Sequence, residues 1–174
     1  MVSVGIDIGG TGIQVGVVDG EGRIIAKRSI VTRLDIPFSE QIAQMAQCVL
    51  DTLGDADMPL SEVRSIGAGI PGIADPKTGV IPFCTNLRWH NVPFREEFHK
   101  HIDKPLFIDN DATVAALAES VAGVSAHTGS SVFLTLGTGV GSGIILGGKV
   151  WSGAHGVGGE IGHMILELGG ESCT

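Results

Sequence analysis

Two short runs hold residues that could handle phosphate and protons. The first, DIGGTGIQVGVVD, sets Asp7 at the end of an apolar run and follows it with Gly9, Gly10 and Thr11. Glycines let backbone N–H groups approach an anion closely, Thr11 adds a hydroxyl, and an aspartate beside such a cradle can hold Mg²⁺ through water. The plain alternative is an ordinary glycine hairpin with an aspartate at a strand end. The second run, FIDNDATVAALAE, puts Asp109, Asn110 and Asp111 where a strand gives way to a helix. A carboxylate at a helix N-terminus is held ionised by the dipole and the free amides, and it can take a proton from a hydroxyl. One member of this D-N-D run is expected to do no more than cap the helix.

Other glycine runs sort into supporting and misleading ones. TLGTGVGSG, residues 135–143, supplies a second turn with Gly137, Thr138 and Gly139. Two such turns and a strand-end carboxylate are parts that phosphoryl transfer needs: cradle, metal and base. They point to ATP phosphates held between two lobes with a hydroxyl acceptor alongside. GAGIPG matches G-x-G-x-x-G through Gly67, Gly69 and Gly72, but Pro71 and the loop IADPKTG stand where a dinucleotide-binding helix would have to start. The Walker pattern G-x-x-x-x-G-K-[ST] does not occur. Near the C-terminal end, GGEIGHMILELGGESCT contains His163 and then Cys173, half of the four ligands a structural zinc site wants.

The elements that must position these residues are legible in outline. Val2 to Ile8 is apolar nearly throughout and reads as a strand buried on both faces. Strands over 13–18 and 23–31 follow through glycine turns, giving the sheet an antiparallel edge. Ile42, Met45, Ala46, Val49, Leu50 and Leu53 recur at helical spacing, with Ser39 as the expected cap and Gly54 as the stop. Strands over 63–70 and 105–108 and a helix over 111–122 complete a βββαβαβ pattern, an α/β layer fold with a mixed sheet. A second hairpin begins at Ser130 and loosely echoes the first, which suggests two lobes, 1–112 and 113–174.

Composition narrows the classes. The chain has 174 residues, 43% hydrophobic and 17% charged, a globular balance. Its 27 glycines are about twice the usual share. A net charge of −8 argues against non-specific nucleic-acid or membrane-surface binding, which needs clustered Lys and Arg. Three cysteines without framework spacing fit a reduced, cytoplasmic compartment, and no signal peptide is evident at the N-terminus. The uncharged stretch 130–148 imitates a membrane span, but its glycines suit two strands around a turn better.

In order along the chain, DIGGT at 7–11, PG at 71–72, TNLRWHNVP at 85–93, DNDA at 109–112, LGTGVGSGI at 136–144 and GGEIGHM at 158–164 resemble the ROK family of sugar kinases and repressors, closest to its glucokinase branch. The resemblance implies an actin-like ATPase, ribonuclease H-like fold and ATP-dependent phosphorylation of a hexose, glucose first. Asp111 would be the general base toward the sugar 6-hydroxyl. Asn86, Asn110, Glu160 and His163 would hydrogen-bond the sugar. Asp7, Gly9, Gly10 and Thr11 would face the phosphates and Mg²⁺, and Gly137, Thr138 and Gly139 would form the second phosphate loop. The implied partners are hexose, ATP and a second copy in a homodimer, with neither nucleic acid nor membrane. N-acetylmannosamine kinase, fructokinase and a non-catalytic sugar-sensing regulator are the alternatives. No helix-turn-helix precedes Met1, which weakens the repressor reading. Asn86, Asn110 and Glu160 disfavour an actin-like structural protein.

Two departures stand out. Thr113 occupies a position where many relatives carry asparagine. Relatives also continue past EIGH into C-x-C-G-x-x-G-C, which with the histidine binds Zn²⁺. Here His163 and Cys173 alone keep that spacing, so an incomplete zinc site is expected and His163 reads as a core or sugar-contacting residue. The sequence is accordingly expected to be truncated within the C-terminal lobe, to expose an apolar sheet edge and face, and to have weak or absent kinase activity by itself.

Overall fold

The computed structural model describes residues 1–137 and 139–170. Two compact units divide the chain, Met1–Val114 and a second beginning at Ala115.

The first unit is built on a five-stranded mixed sheet. Strands β1 (Val2–Ile8), β2 (Gly12–Val18) and β3 (Ile24–Val31) run as consecutive hairpins. Helix α1 (Phe38–Asp55) then leads to β4 (Val63–Ile70), which joins β1 in parallel. A small hairpin, β5 (Ile81–Cys84) and β6 (Trp89–Val92), and a short helix α2 (Phe94–His99) precede β7 (Leu106–Asn110). The spatial order is β3-β2-β1-β4-β7. Helix α3 (Asp111–Ala122) follows directly.

One face of this sheet is the core. Val4, Ile6 and Ile8 of β1, Ile13, Val15 and Val17 of β2, and Ile66, Ala68 and Ile70 of β4 bury together with Ile42, Met45, Val49 and Leu53 of α1 and Phe94 and Phe98 of α2. The expectation that β1 buries both faces is corrected. Gly5 and Asp7 are exposed, and Gly5 pairs sideways with Gly16 and Gly67. A row of glycines offers no side chain to bury, so the apolar packing gathers on the opposite face.

Three further expectations change. Helix α1 begins after Pro37, not at a Ser39 cap, and no side chain caps it. Proline presets the helical φ, and each buried α1 side chain contributes about 1.5–3 kcal/mol against roughly 1 for a cap. It runs past Gly54 to Asp55, with Ala56 as its C-terminal cap and Asp57 following at φ 51°. Leu50 faces partly to solvent despite its spacing. The β5–β6 hairpin and α2 had no counterpart in the sequence reading, because strands of four residues give too few alternations to register.

The second unit contains an antiparallel sheet, β8 (Ser130–Leu136), β9 (Val140–Leu146) and β10 (Lys149–Val150), in the order β10-β9-β8. The uncharged stretch is therefore a hairpin, and among the described residues no helix is long and apolar enough to cross a membrane. On β8, Val132, Leu134 and Leu136 are exposed.

Candidate active site

Parallel pairing of β1, β4 and β7 brings their C-terminal ends side by side. Asp7 pairs with Gly69, and Gly69 pairs with Asp109. Loops at carboxyl ends of parallel strands are where open α/β sheets hold ligands. The start of α3 lies beside Gly69, where a Cβ would sit in ordinary contact 3.4 Å from Asp111 Cα.

The D-N-D run divides its tasks. Asn110 is the cap: its Oδ1 accepts the Thr113 N–H at 3.1 Å. Its Nδ2 donates to Gly72 O at 3.3 Å, tying the loop after β4 to the start of α3. Asp109 Oδ1 accepts the Asn110 N–H at 2.8 Å, and burial holds the Asp109 carboxyl above the usual range. Asp111 is half-buried, and its Oδ1 accepts the Ala112 N–H at 2.8 Å. Burial raises the Asp111 carboxyl first, and the negative charge of Asp7 pushes it the same way, against the Ala112 hydrogen bond.

The loop after β4 is seated tightly. A Cβ on Gly72 would lie 2.6 Å from Phe83 O, the Cys84 thiol donates to Pro71 O at 3.3 Å, and Ile73 N–H donates to Phe83 O. Cys84 leads into the 3₁₀ turn Thr85–Leu87, which carries Asn86. That turn closes with Arg88 at φ 56°.

The glycine turn after β1 packs against the same element. A Cβ on Gly10 would meet Asn86 Cβ at 3.3 Å, and one on Gly9 would meet Gly12 O at 2.7 Å. Gly9 N–H donates to Gly12 O at 2.9 Å, closing the turn. Thr11 and Asp7 are exposed beside it. Thr32, just past β3, donates its hydroxyl to Gly9 O and its N–H to Thr11 O. Nothing in the sequence spacing singles out Thr32, because its partners lie more than 20 residues away.

Within the first unit, Gly10 and Asn86 therefore touch, and Asp7 acts electrostatically on Asp111, whose neighbour Asn110 is tied to the loop after β4. The remaining candidates belong to the second unit. Gly137 N–H donates to Gly139 O at 3.0 Å, closing the β8–β9 turn. Thr138 lies outside the described residues. Glu160 is exposed, just before the 3₁₀ turn Ile161–His163, which packs on β9. Ser142 donates its hydroxyl to Gly159 O, and a Cβ on Gly162 would collide with Val140 O. His163 Nε2 lies 3.6 Å from Glu160 Oε2, with the histidine side chain 76% exposed. His163 is thus a surface residue rather than a core one.

The first turn has residue types that could hold a metal–polyphosphate group. Side chains at Gly9 and Gly10 would run into Gly12 O and Asn86, so the first turn keeps a bare backbone, with the exposed Asp7 carboxylate beside it. Among the described residues no three His, Cys, Asp or Glu side chains gather into a metal site. Cys173, the proposed partner of His163, lies outside them.

The family model described as ROK family matches residues 3–174. Glucokinase of Thermotoga maritima is 34% identical over 172 residues, which are 98% of this chain and 53% of that protein. A putative xylose repressor of a Caldicellulosiruptor species is 30% identical over 98% of this chain and 43% of its own length. Among solved structures, a ROK family glucokinase from Streptomyces griseus in complex with glucose and AMPPNP matches with a TM-score of 0.85 at 31% identity, covering 96% of this chain and 51% of that one. The chain spans about half the length of the curated relatives it matches. Its mixed sheet is that of the actin-like ATPase fold of ROK sugar kinases. The motif order, the sheet and a match running almost from end to end agree, and the chain belongs to the ROK family.

Proposed function

We propose that this chain supplies the sugar-contacting and phosphate-facing machinery of an ATP-dependent hexose kinase, with glucose as the first substrate. The observation that carries the reading is the packing of Asn86 on Gly10, which sets a candidate sugar residue directly on a candidate phosphate turn. Similarity to the glucokinase of Thermotoga maritima and to the glucose-bound Streptomyces griseus structure supports glucose.

In this reading the Asp111 carboxylate takes the proton of the sugar 6-hydroxyl as its oxygen attacks the γ-phosphorus, and ADP leaves in line. A raised carboxyl makes Asp111 a stronger base than an exposed aspartate. Asn86, Asn110, Glu160 and His163 orient the sugar. Gly9, Gly10 and Thr11, with Gly137, Thr138 and Gly139, face the phosphates of ATP. Asp7 would hold magnesium, which when bound would neutralise charge on the transferring phosphoryl group. A homodimer is the proposed assembly, and mass-resolved size exclusion tests it.

The test supplies ATP, Mg²⁺ and separate hexoses to the protein carrying this chain and detects sugar 6-phosphate. Glucose should outpace N-acetylmannosamine and fructose, and Asp111→Asn should lower turnover at least a hundredfold, the scale of general-base catalysis. Unchanged turnover in Asp111→Asn would remove Asp111 from the mechanism. Similarity to a putative xylose repressor favours a second reading, a regulator that senses sugar without transferring phosphate. Sugar binding with no turnover on any hexose would select it.

A further inference from the structure

We propose that Thr32 is a positioning residue that aims the first phosphate turn, an inference that rests on reading residues 9–11 as phosphate-facing. Thr32 is 8% exposed and sits one residue beyond β3. Its hydroxyl donates to Gly9 O at 2.6 Å, and its own N–H donates to Thr11 O at 3.2 Å. The carbonyls of the two residues on either side of Gly10 are thereby drawn toward the end of β3. A trans peptide is planar, so its C=O and the following N–H point in opposite directions. Holding Gly9 C=O on Thr32 therefore directs the Gly10 N–H away from β3.

The geometry leaves the turn few other ways to be held. Gly9 N–H is already bonded to Gly12 O, and Gly10 is backed by Asn86. Without the Thr32 hydroxyl, Gly9 O loses its partner and the Gly9–Gly10 peptide is free to rotate. Rotation would swing a carbonyl oxygen, which repels anions, toward the place where the amide stood. The hydroxyl acts through the turn and need not touch the ligand.

The test uses the isotope-labelled chain with magnesium tripolyphosphate as probe, following the Gly10 and Thr11 amide resonances. In the unaltered protein these amides should shift on titration. Thr32→Ser keeps the hydroxyl and should bind within about twofold, whereas Thr32→Val should bind about tenfold more weakly, the scale of one lost hydrogen bond. Thr32→Ala repeats the loss without a branched side chain. Amide exchange should quicken at Gly10 in both hydroxyl-free variants and stay unchanged at Val4 and Ile6, separating a misaimed turn from a loosened core. Equal affinity in Thr32→Val and the unaltered protein overturns the proposal while leaving the phosphate turn intact. Gly10 and Thr11 amides that do not move in the unaltered protein overturn the phosphate reading itself, and Thr32's role with it.

Discussion

Gly10 and Asn86 are in contact, so closely that a Cβ on Gly10 would stand 3.3 Å from Asn86 Cβ. The turn after β1 and the turn between β5 and β6 are therefore packed against each other. Gly10→Ala should shift Asn86 by a few tenths of an ångström. Asn86 is exposed on a short turn and can yield, so stability should fall by less than about 1 kcal/mol. Sugar affinity should drop severalfold along with phosphate affinity. Titration calorimetry with glucose and with a nucleotide would check this, and an effect on nucleotide alone would break the proposed coupling.

Gly72 has no such latitude. Its added Cβ would press on Phe83 O at 2.6 Å and Cys84 Cα at 3.0 Å, both backbone atoms of a paired strand. Gly72→Ala should destabilise the first unit by about 2–3 kcal/mol, as overpacking does. Urea unfolding followed by Trp89 fluorescence measures the loss.

Asn110 makes two separable contacts. Asn110→Asp keeps the oxygen that caps α3 but removes the donor to Gly72 O, whereas Asn110→Ala removes both. The alanine variant should cost roughly 1 kcal/mol more than the aspartate one, the worth of a cap. Equal losses would mean that the cap contributes nothing to stability.

Asp111 sets two opposite pH responses. Its folded carboxyl lies above the ordinary aspartate value, so the folded state holds the proton more tightly than the unfolded chain. Its contribution to stability is therefore most favourable below that value and declines as pH rises through the folded pKa. Transfer needs the ionised base, so turnover should climb over the same interval. Asp7→Asn removes the smaller of the two raising influences and should lower the Asp111 titration midpoint without restoring it fully, because burial remains. Carbon-detected titration of the Asp111 carboxyl reads this directly, and an upward movement would contradict it.

Much of the first unit is legible locally. Hairpins announce themselves through glycine turns between apolar runs, and α1 and α3 through spacing or a D-N-D boundary. Ser39 and Gly54 misled because capping preferences are worth less than the packing of Ile42, Met45, Val49 and Leu53. The β5–β6 hairpin was hidden by its shortness, although the Asn86 it positions stood in a recognisable motif.

The sequence by itself determined the order of the longer strands and helices of the first unit, because hydrophobic period and turn chemistry act over a few neighbouring residues. It could also say that one of Asp109, Asn110 and Asp111 would cap α3, but not which. The tertiary structure decided that Asn110 is the cap, that Asp7 raises the Asp111 carboxyl, and that Thr32 and Asn86 both reach the glycine turn. Those relations depend on parallel register between β1, β4 and β7 and on a hairpin folding back over distant residues. Pairing between segments tens of residues apart leaves no periodic trace in either segment alone.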